Sequence, residues 1–443
     1  MRTPRSLLLR VTAVAALLAV AAPAVAAATA RWSPTQGFTA SRTGGGEPVP
    51  RAAIAGDGTS AVAFRADTGA LLVATGTASG RFGVPRVVDR TGSGDHAVAA
   101  APGGAFLVAW EDRDGLHAAV RTKAGRRIVQ RRFGGRHSDI NGVQVAADPK
   151  GGWVVAERVF PFGAPRERSY GVRVLSLDAA GRPLGPIQEL GRGFFGIDAR
   201  PTQALAVGSD GRAVLAFTRD APAGIAAPDA AVVATRPHGG AFGAPVRVPG
   251  PAAVDPRVAT EPNGRALVAF TQVARRGDVG SFGGPAISSV RADGSLSPPL
   301  GPALPFPGRA FGPSAAFWPA GAALVFQLKT QSDPFAQEAP VRAVSINGNG
   351  TIGALQTLTT GRAAEPVAVG LSDGRVLVVW SGRKGIGASL ATNGVFEKTA
   401  EPKGPPPPPF HSNPTNRDLR AAGRFAIFTW ARAGWVRVAV RRF

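Results

Sequence analysis

Phe106-Leu-Val-Ala-Trp110 is a short apolar run that ends in a bulky aromatic residue, and close copies of it recur along the whole chain. Seven of the eight copies end in Phe or Trp, and only Glu157 departs from that pattern. The other copies are Ser60-Ala-Val-Ala-Phe64, Trp153-Val-Val-Ala-Glu157, Ala213-Val-Leu-Ala-Phe217, Ala266-Leu-Val-Ala-Phe270, Ala322-Ala-Leu-Val-Phe326, Val376-Leu-Val-Val-Trp380 and Ala426-Ile-Phe-Thr-Trp430. Their ends are about 52 residues apart on average, which is typical of four-stranded propeller blades at the long end of their range.

A glycine-containing turn precedes each run, as at Asp57-Gly58, Asp210-Gly211 and Asp373-Gly374. Such pairs supply the positive φ angles of a tight β-hairpin. Two further strand-like segments follow each run, with no helical periodicity between them. The pattern therefore predicts an all-β fold, an eight-bladed β-propeller of four-stranded antiparallel blades. Seven blades is the alternative, and a two-sheet sandwich does not explain the steady period.

The two ends of the chain are predicted to complete one blade. The eighth repeat stops at Phe443 after three strands, and residues 32–38 match residues 184–190 and 352–358, with Gln36, Gln188 and Gln356 equivalent. Pairing of this N-terminal strand with the C-terminal blade closes the ring and removes its open edges.

Composition limits the class of protein. The 443 residues are 44% hydrophobic and include no Cys, so the chain can bury a large core but can hold no disulfide, Cys-ligated zinc or thiol nucleophile. Residues 1–30 carry Arg2, Arg5 and Arg10, an apolar stretch and small-residue cleavage sites, which predicts a signal peptide, a secreted or cell-wall-associated protein and no membrane span after cleavage. Residues 31–443 are predicted to be one monomeric propeller domain, with a stiff proline-rich surface insert at 403–414.

The repeat resembles that of secreted actinobacterial β-propeller proteins of uncharacterised function. The units that carry the resemblance are Val145-Ala-Ala-Asp-Pro-Lys-Gly-Gly-Trp-Val-Val and Gly240-Ala-Phe-Gly-Ala-Pro. The resemblance covers nearly all of residues 31–443 and implies the propeller architecture, but it implies no particular chemistry because propellers host unrelated functions.

The connections between the second and third strands are predicted to be long in blades three to six, at about 12 to 15 residues, beyond the usual hairpin length. Loops longer than folding requires are where binding tends to occur. Apolar rings beside arginines and carboxylates could hold a sugar chain, an anionic polymer or a peptide. The candidate ligand-binding residues in the first three of these loops are Phe160, Phe162, Arg166, Glu167, Arg168, Tyr170, Arg219, Asp220, Arg275, Arg276 and Asp278.

On the same face, the residues that lead into the innermost strands should surround the mouth of the channel. These candidates are Arg51, His96, Asn141, Arg257, Glu365 and Asp418. A structural role at the rim is the alternative for each of them.

Catalytic and metal motifs are weak. Gly370-Leu-Ser372-Asp-Gly374 matches a nucleophile elbow but coincides with a hairpin turn of the repeat. The five histidines lie in separate repeats without metal-ligand spacing, so no metal or cofactor is predicted. Ser209-Asp-Gly211 and Ser372-Asp-Gly374 are partly similar to the repeated boxes of sialidase-like propellers, a resemblance that implies an arginine cluster and a tyrosine nucleophile, here Tyr170.

The formal net charge of +22 favours anionic partners such as cell-wall polymer or acidic glycan. The densest basic stretch comprises Lys123, Arg126, Arg127, Arg131, Arg132 and Arg136. Aromatic residues do not alternate with these arginines as in a nucleic-acid stacking platform, so no specific nucleic-acid partner is predicted. Coding from GC-rich DNA is an alternative source of the arginines.

These observations predict a secreted, non-catalytic binding or scaffold protein that engages anionic or carbohydrate surfaces through its long-loop face. One alternative is a sialidase-like or other glycan-processing enzyme. A second is a structural cell-envelope protein that docks another exported protein.

Overall fold

Thirty β-strands, and no helix, make up the described part of the chain in a computed structural model. The described ranges are 31–40, 49–90, 94–112, 114–133, 142–159, 169–194, 203–220, 228–250, 253–261, 264–273, 282–304, 308–330, 339–382, 385–403, 417–432 and 434–443. Within these ranges no helix is long and apolar enough to cross a membrane. The predicted signal peptide and most of the proline-rich insert lie outside the described residues.

The first four blades follow one another along the chain, each as an antiparallel meander. Blade 1 contains β2 (Arg51–Ile54), β3 (Ser60–Arg65), β4 (Leu71–Gly76) and β5 (Arg86–Asp89). Blade 2 contains β6 (His96–Ala100), β7 (Phe106–Asp112), β8 (Gly115–Arg121) and β9 (Arg127–Phe133). Blade 3 contains β10 (Val143–Ala147), β11 (Trp153–Val159), β12 (Ser169–Leu177) and β13 (Gln188–Phe194). Blade 4 contains β14 (Gln203–Val207), β15 (Ala213–Asp220), β16 (Pro228–Arg236) and β17 (Val246–Arg247).

The remaining four blades continue the pattern with two local variations. Blade 5 contains β18 (Ala253–Thr260), β19 (Ala266–Val273) and β20 (Phe282–Val290), and its fourth strand is reduced to bridges at Leu296 and Leu300. Blades 6 and 7 share the long β24 (Gln356–Gly370), which pairs with β23 at one end and with β25 at the other. The other strands are β21 (Gly308–Trp318), β22 (Gly321–Thr330) and β23 (Ala339–Asn347) in blade 6, and β25 (Val376–Gly382), β26 (Gly385–Thr392) and β27 (Val395–Lys398) in blade 7.

The eighth blade joins the two ends of the described chain, as the sequence predicts. Three strands come from the C-terminal end, β28 (Arg417–Ala422), β29 (Phe425–Arg432) and β30 (Trp435–Arg442), and the fourth is β1 (Gln36–Thr39). β1 runs antiparallel to β30, with Gln36 opposite Val438. The predicted eight-bladed propeller, closed by the N-terminal strand, is therefore confirmed.

The predicted hairpin turns are also present. Gly58, Gly211 and Gly374 have φ values of 85°, 80° and 82°, in the left-handed region that only glycine adopts without strain. The Gly374 N–H donates to the Leu371 carbonyl at 3.0 Å. The N–H groups of Gly58 and Gly211 donate in the same way, each at 2.9 Å, to the carbonyl three residues earlier. Ser372 therefore belongs to a hairpin turn and not to a strand-to-helix nucleophile elbow.

The core lies between the blades. Eight clusters of buried apolar side chains occur among the described residues, one at each junction between neighbouring blades. The bulky residue that ends each repeated run faces the preceding blade, as Phe217 does in the cluster between blades 3 and 4. Seven of the eight blades carry Phe or Trp at this position, and blade 3 carries Glu157.

The first strand of each blade begins, and the second strand ends, at one face of the ring. The register shows this directly, since Arg51 at the start of β2 lies opposite Ala63 near the end of β3. We call this side the loop face, because it carries the connections between second and third strands. In blades 3 to 6 those connections are residues 160–168, 221–227, 274–281 and 331–338, shorter than the sequence predicts because the flanking strands continue further.

Candidate functional site

Each blade places one residue, directly after the bulky residue of its repeated run, at the loop face; we call this the junction position. In most blades this residue is hydrogen-bonded to the start of the next blade. Arg65 Nε donates to the Gly94 carbonyl at 2.7 Å, and Gln327 Nε2 donates to the Ala363 carbonyl at 2.6 Å. The eight junction residues are Arg65, Glu111, Arg158, Thr218, Thr271, Gln327, Ser381 and Ala431.

Blades 2 and 3 depart from this arrangement because their junction residues are Glu111 and Arg158. Glu111 is fully buried, and its Oε2 accepts only a long contact of 3.5 Å from the Gly142 N–H at the start of blade 3. Its other oxygen, Oε1, has no hydrogen-bond partner among the described residues. A buried polar atom without a partner costs stability, and such atoms in native proteins are often functional.

Glu157 adds a second buried carboxyl group at the same junction. It is 2% exposed, and its Oε2 also has no hydrogen-bond partner within the described ranges. Burial raises the pKa of Glu157 from 4.5 to about 7, against the opposing effect of Arg173. Burial also raises the pKa of Glu111 well above its usual range, and the charges of Glu157 and then Asp95 raise it further. Burial and the two neighbouring carboxylates therefore favour the protonated form of Glu111.

Asp95 provides the contrasting carboxyl group at the start of blade 2. Its side chain is 23% exposed, with Arg51 Nη2 3.7 Å from Oδ1 and the His96 N–H donating to Oδ1 at 2.8 Å. Burial alone would raise the pKa of Asp95, but Arg51, and then His96 and Arg158, lower it below its ordinary value. Since the Glu111 N–H donates to the Asp95 carbonyl at 3.2 Å, the carboxyl group with the lowered pKa and the one with the raised pKa belong to hydrogen-bonded neighbours.

Arg158 lies over the backbone of Gly142. A Cβ atom at position 142 would come within 1.5 Å of Arg158 Nη2, so only glycine leaves room for this guanidinium. The guanidinium carbon is also 5.7 Å from the centre of the Tyr170 ring, a cation–π contact. Burial lowers the pKa of Arg158, while Tyr170, Asp95 and Glu111 oppose that effect. Arg158 therefore interacts electrostatically with both carboxyl groups.

His96 completes this part of the wall. It is 2% exposed, and its Nε2 lies 3.2 Å from the Ala63 carbonyl, where a ring N–H can donate. Burial lowers the pKa of His96 to about 4, although Asp95 opposes the shift, so the ring is neutral at neutral pH. The hydrogen bond of His96 therefore holds the start of β6 and the adjacent Asp95 in place, and the neutral ring adds no charge there.

Together these residues can perform acid–base chemistry. A neutral carboxylic acid and an ionised carboxylate, with pKa values displaced in opposite directions, are the arrangement by which one site donates and accepts protons at the same pH. No group of three or more His, Asp or Glu side chains suited to a metal ion occurs within the described ranges.

Most of the predicted loop residues lie outside the described residues: Phe160, Phe162, Arg166, Glu167, Arg168, Arg275, Arg276 and Asp278. The sequence places Tyr170 in a long loop, but it lies in strand β12 and is 1% exposed. Its ring packs in the core between blades 3 and 4 because it is the third-strand residue that faces that core. Arg219 and Asp220 end strand β15, where Arg219 lies opposite Gly193 of blade 3.

The predicted channel-mouth residues are only partly brought together. Arg51 and His96 meet at Asp95, as described above. Asp418 instead joins blades 8 and 1, since its Oδ2 accepts from the Ala52 N–H at 2.9 Å. Arg257 is an exposed residue of β18, and Glu365 is a residue of β24. Asn141 lies outside the described residues.

The sequence reasoning missed Asp95, Glu111, Glu157 and Arg158. Two signals were present in the repeats. Glu157 breaks the otherwise constant Phe or Trp position, and the next position carries a charged residue only in the three consecutive blades 1 to 3, as Arg65, Glu111 and Arg158. Aligning the repeats against each other beyond the aromatic residue therefore identifies the site.

No protein-family model matches the chain. No curated protein matches it either. Solved structures are similar in fold at low identity. An α-L-arabinanase from Penicillium chrysogenum, complexed with arabinobiose, shares 12% identity over 78% of this chain and 92% of its own, with a TM-score of 0.42. An α-L-arabinofuranosidase from Fusarium graminearum shares 12% over 94% and 97%, with a TM-score of 0.44. The polysaccharide lyase Uly1 shares 10% over 76% and 88%, with a TM-score of 0.46.

The prediction of a non-catalytic binding or scaffold protein is corrected by these findings. The three similar structures named above bear the names of glycan-cleaving enzymes, and the described residues of this chain include carboxyl groups whose pKa values are displaced in opposite directions. At this identity the likeness shows the fold alone, so the activity has to be argued from the residues of this chain.

Proposed function

We propose that the protein is a glycan-processing enzyme that cleaves glycosidic bonds at the loop face of blades 1 to 3. The observation that carries the proposal is the pair of carboxyl groups on hydrogen-bonded neighbours, Glu111 with a raised pKa and Asp95 with a lowered pKa. Glycoside hydrolysis needs such a pair, one group as acid and one as base or nucleophile. Export through the predicted signal peptide of residues 1–30 is part of this proposal.

In the proposed reaction, Glu111 gives its proton to the glycosidic oxygen as the bond between that oxygen and the anomeric carbon breaks. Asp95 takes a proton from the water whose oxygen bonds to the anomeric carbon. The products are two shorter sugar chains, and the two carboxyl groups then exchange a proton with solvent to restore the starting state.

The substrate class follows from the charges around the carboxyl groups. Arg51 lies 3.7 Å from Asp95, and the positive charges of Arg51 and Arg158 both act on that carboxylate. These arginines and the net charge of +22 should strengthen the binding of a substrate that carries its own carboxylate or sulfate groups. We therefore propose an acidic polysaccharide rather than a neutral one.

The test is a panel of polygalacturonate, alginate, hyaluronan, heparin and neutral arabinan, with release of new reducing ends as the readout. Glu111→Gln and Asp95→Asn should each lower kcat by about 10²–10⁴ on the substrate that is cleaved, the usual range for loss of an acid or a base. Glu397→Gln, which changes an exposed carboxylate of β27 in blade 7, is the matched control and should keep full activity.

Leaving-group dependence separates the two roles. A nitrophenyl glycoside of the same sugar has a leaving group that needs no proton, so Glu111→Gln should regain most of its rate on it while Asp95→Asn does not. Equal loss on both substrates would contradict the role of Glu111 as acid. Cleavage of no polymer by the wild-type chain, or products that carry an unsaturated uronate instead of water, would contradict hydrolysis.

A further inference from the structure

Strand β9 is the outermost strand of blade 2 and carries a dense group of exposed positive charges. Arg127, Arg131 and Arg132 are all exposed, and we call these three residues the β9 basic surface. Ile128 between them is 57% exposed. β9 pairs only with β8, on its inner side.

The charges of this surface are not neutralised. Within the described ranges none of the three arginines forms an ion pair, and Arg127 Nη1 donates only to the Gln130 side chain, at 3.1 Å. Burial lowers the pKa of Arg121 on β8, and the positive charges of Arg127 and of Arg86 on β5 lower it further. The outer edges of blades 1 and 2 therefore form one zone of positive potential, which an anionic ligand would relieve.

The surface is shallow and largely open to solvent. A shallow cavity of about 540 Å³ is lined by His117 together with residues 127–132 of β9. Arg131 lies on one face of β9 and Arg132 on the other, so the guanidinium groups flank the edge of the strand, along which a linear chain can lie.

The strand register gives the distance between the β9 basic surface and the start of β6, which follows Asp95. Arg132 lies opposite His117, His117 lies opposite Trp110, and Trp110 lies opposite His96, the residue after Asp95. The Trp110 and His117 rings stack at 5.2 Å along this row. With neighbouring strands about 4.8 Å apart, the three steps put Arg132 roughly 14 Å from His96 along the blade.

We propose that the β9 basic surface is a distal binding subsite for an acidic polysaccharide whose reacting bond lies at Asp95 and Glu111. This inference rests on the proposed function. A linear polymer with carboxylate or sulfate groups on successive sugars would extend from the acid–base pair outward across blade 2 and pair with the arginines of β9. Short oligosaccharides would fill the inner site without reaching the rim.

The experiment measures binding in a chain that cannot cleave its ligand, carrying Glu111→Gln. Labelled polygalacturonate and heparin are titrated at several salt concentrations, and trigalacturonate serves as the short ligand. The variant R127Q/R131Q/R132Q is compared with R182Q/R247Q/R442Q, which removes three exposed arginines from blades 3, 4 and 8 and so changes net charge equally.

The β9 variant should bind at least one of the two polymers about tenfold more weakly, because each exposed ion pair contributes modestly and three act together. Its dependence on salt concentration should also become shallower, since fewer counterions are released. The control variant should lose less than about twofold. In the cleaving chain, the β9 variant should raise KM for long polymer about tenfold more than KM for trigalacturonate.

Equal weakening by both triple variants would overturn the subsite, because only net charge would then matter. So would equal effects on long and short ligands. Failure of the proposed function has a different signature: the wild-type chain would cleave nothing, while polymer binding in the Glu111→Gln chain would still depend on β9. Arginines on an edge strand also discourage edge-to-edge pairing between copies of the chain. If the three arginines had only that role, their removal would cause self-association and would leave the affinity for polymer unchanged, which would overturn the subsite.

Discussion

Glu157 occupies a position that holds Phe or Trp in the other seven blades, and a carboxyl group there makes the stability of the fold depend on pH. The carboxyl group is 2% exposed, and burial raises its pKa from 4.5 to about 7. A raised pKa means that the folded state holds the proton more tightly than the unfolded state. The contribution of Glu157 to stability is therefore fully present below pH 4.5 and is lost as the pH rises through 7.

We predict that the stability of the wild type, relative to Glu157→Gln, falls by about 3 kcal/mol between pH 4.5 and pH values above 7. The measurement is the free energy of unfolding in urea for both proteins across this range. The difference is needed because His96 acts in the opposite direction: with its pKa lowered from 6.5 to about 4, its contribution is present above 6.5 and lost as the pH falls. A difference independent of pH would show that Glu157 is not held neutral.

Gly142 is the second residue whose identity can be tested, because a Cβ there would overlap the Arg158 guanidinium. Gly142→Ala should displace Arg158. Since Arg158 lowers the pKa of Glu111, its displacement should raise that pKa and move the alkaline limb of the kcat profile to higher pH. Gly103→Ala, where a Cβ meets nothing within 4 Å, is the control and should leave the profile in place.

The site was only partly readable from the sequence for a physical reason. Arg51 and His96 were predicted because strand starts follow from the turn pattern. Glu111 and Arg158 were not, since a charged residue near the end of a strand is ordinarily exposed, and only the structure shows that these two are buried. Tyr170 was misplaced because the end of a strand cannot be fixed from its composition.

At the scale of elements, glutamine side chains join the outer strands of neighbouring blades. Gln188 Nε2 donates to the Phe242 carbonyl at 2.6 Å, and Gln188 Oε1 accepts from the Phe242 N–H at 2.9 Å. Gln36 bonds to both backbone groups of Phe82 at 2.9 Å, and Gln356 bonds similarly in blade 7. The sequence marks these glutamines as equivalent, and their partners become visible only when blades lie side by side.

We predict that Gln188→Ala lowers the free energy of unfolding by about 2 kcal/mol, because two hydrogen bonds at roughly 1 kcal/mol each are lost. Gln130→Ala removes an exposed amide that bonds to the Arg127 side chain, and it should change stability by less than about 0.5 kcal/mol. Urea unfolding of both variants decides the matter. Equal stability of the two variants would mean that the glutamine bonds merely replace bonds to water.

At the scale of the whole molecule, the ring depends on β1. Phe38 is 6% exposed within the cluster that joins blades 8 and 1, and Trp32 is 9% exposed in the cluster that joins blades 7 and 8. The closure adds the Gln36 bonds and the hydrogen bond from the Ala52 N–H to Asp418 at 2.9 Å. Closure was predictable from the repeat count alone, because three strands at one end of the chain and one at the other complete a blade.

We predict that deletion of residues 31–40 lowers the melting temperature and causes self-association through the uncovered edge of β30. Phe38→Ala, a milder variant that keeps the strand, should cost about 3–5 kcal/mol while the protein stays in its wild-type oligomeric state. Thermal unfolding and sedimentation velocity measure both effects. A deleted chain with unchanged melting temperature and sedimentation would refute the dependence on β1.

The pairing of β1 with β30 also sets an order of events during biosynthesis. Of the described strands β1 leaves the ribosome first, but β30, the strand that it pairs with, leaves last. At about 5–20 residues per second, the nascent chain spends on the order of tens of seconds with both ends of its ring unsealed. Blades can assemble one after another in this interval, but the circle can close only once β30 has emerged.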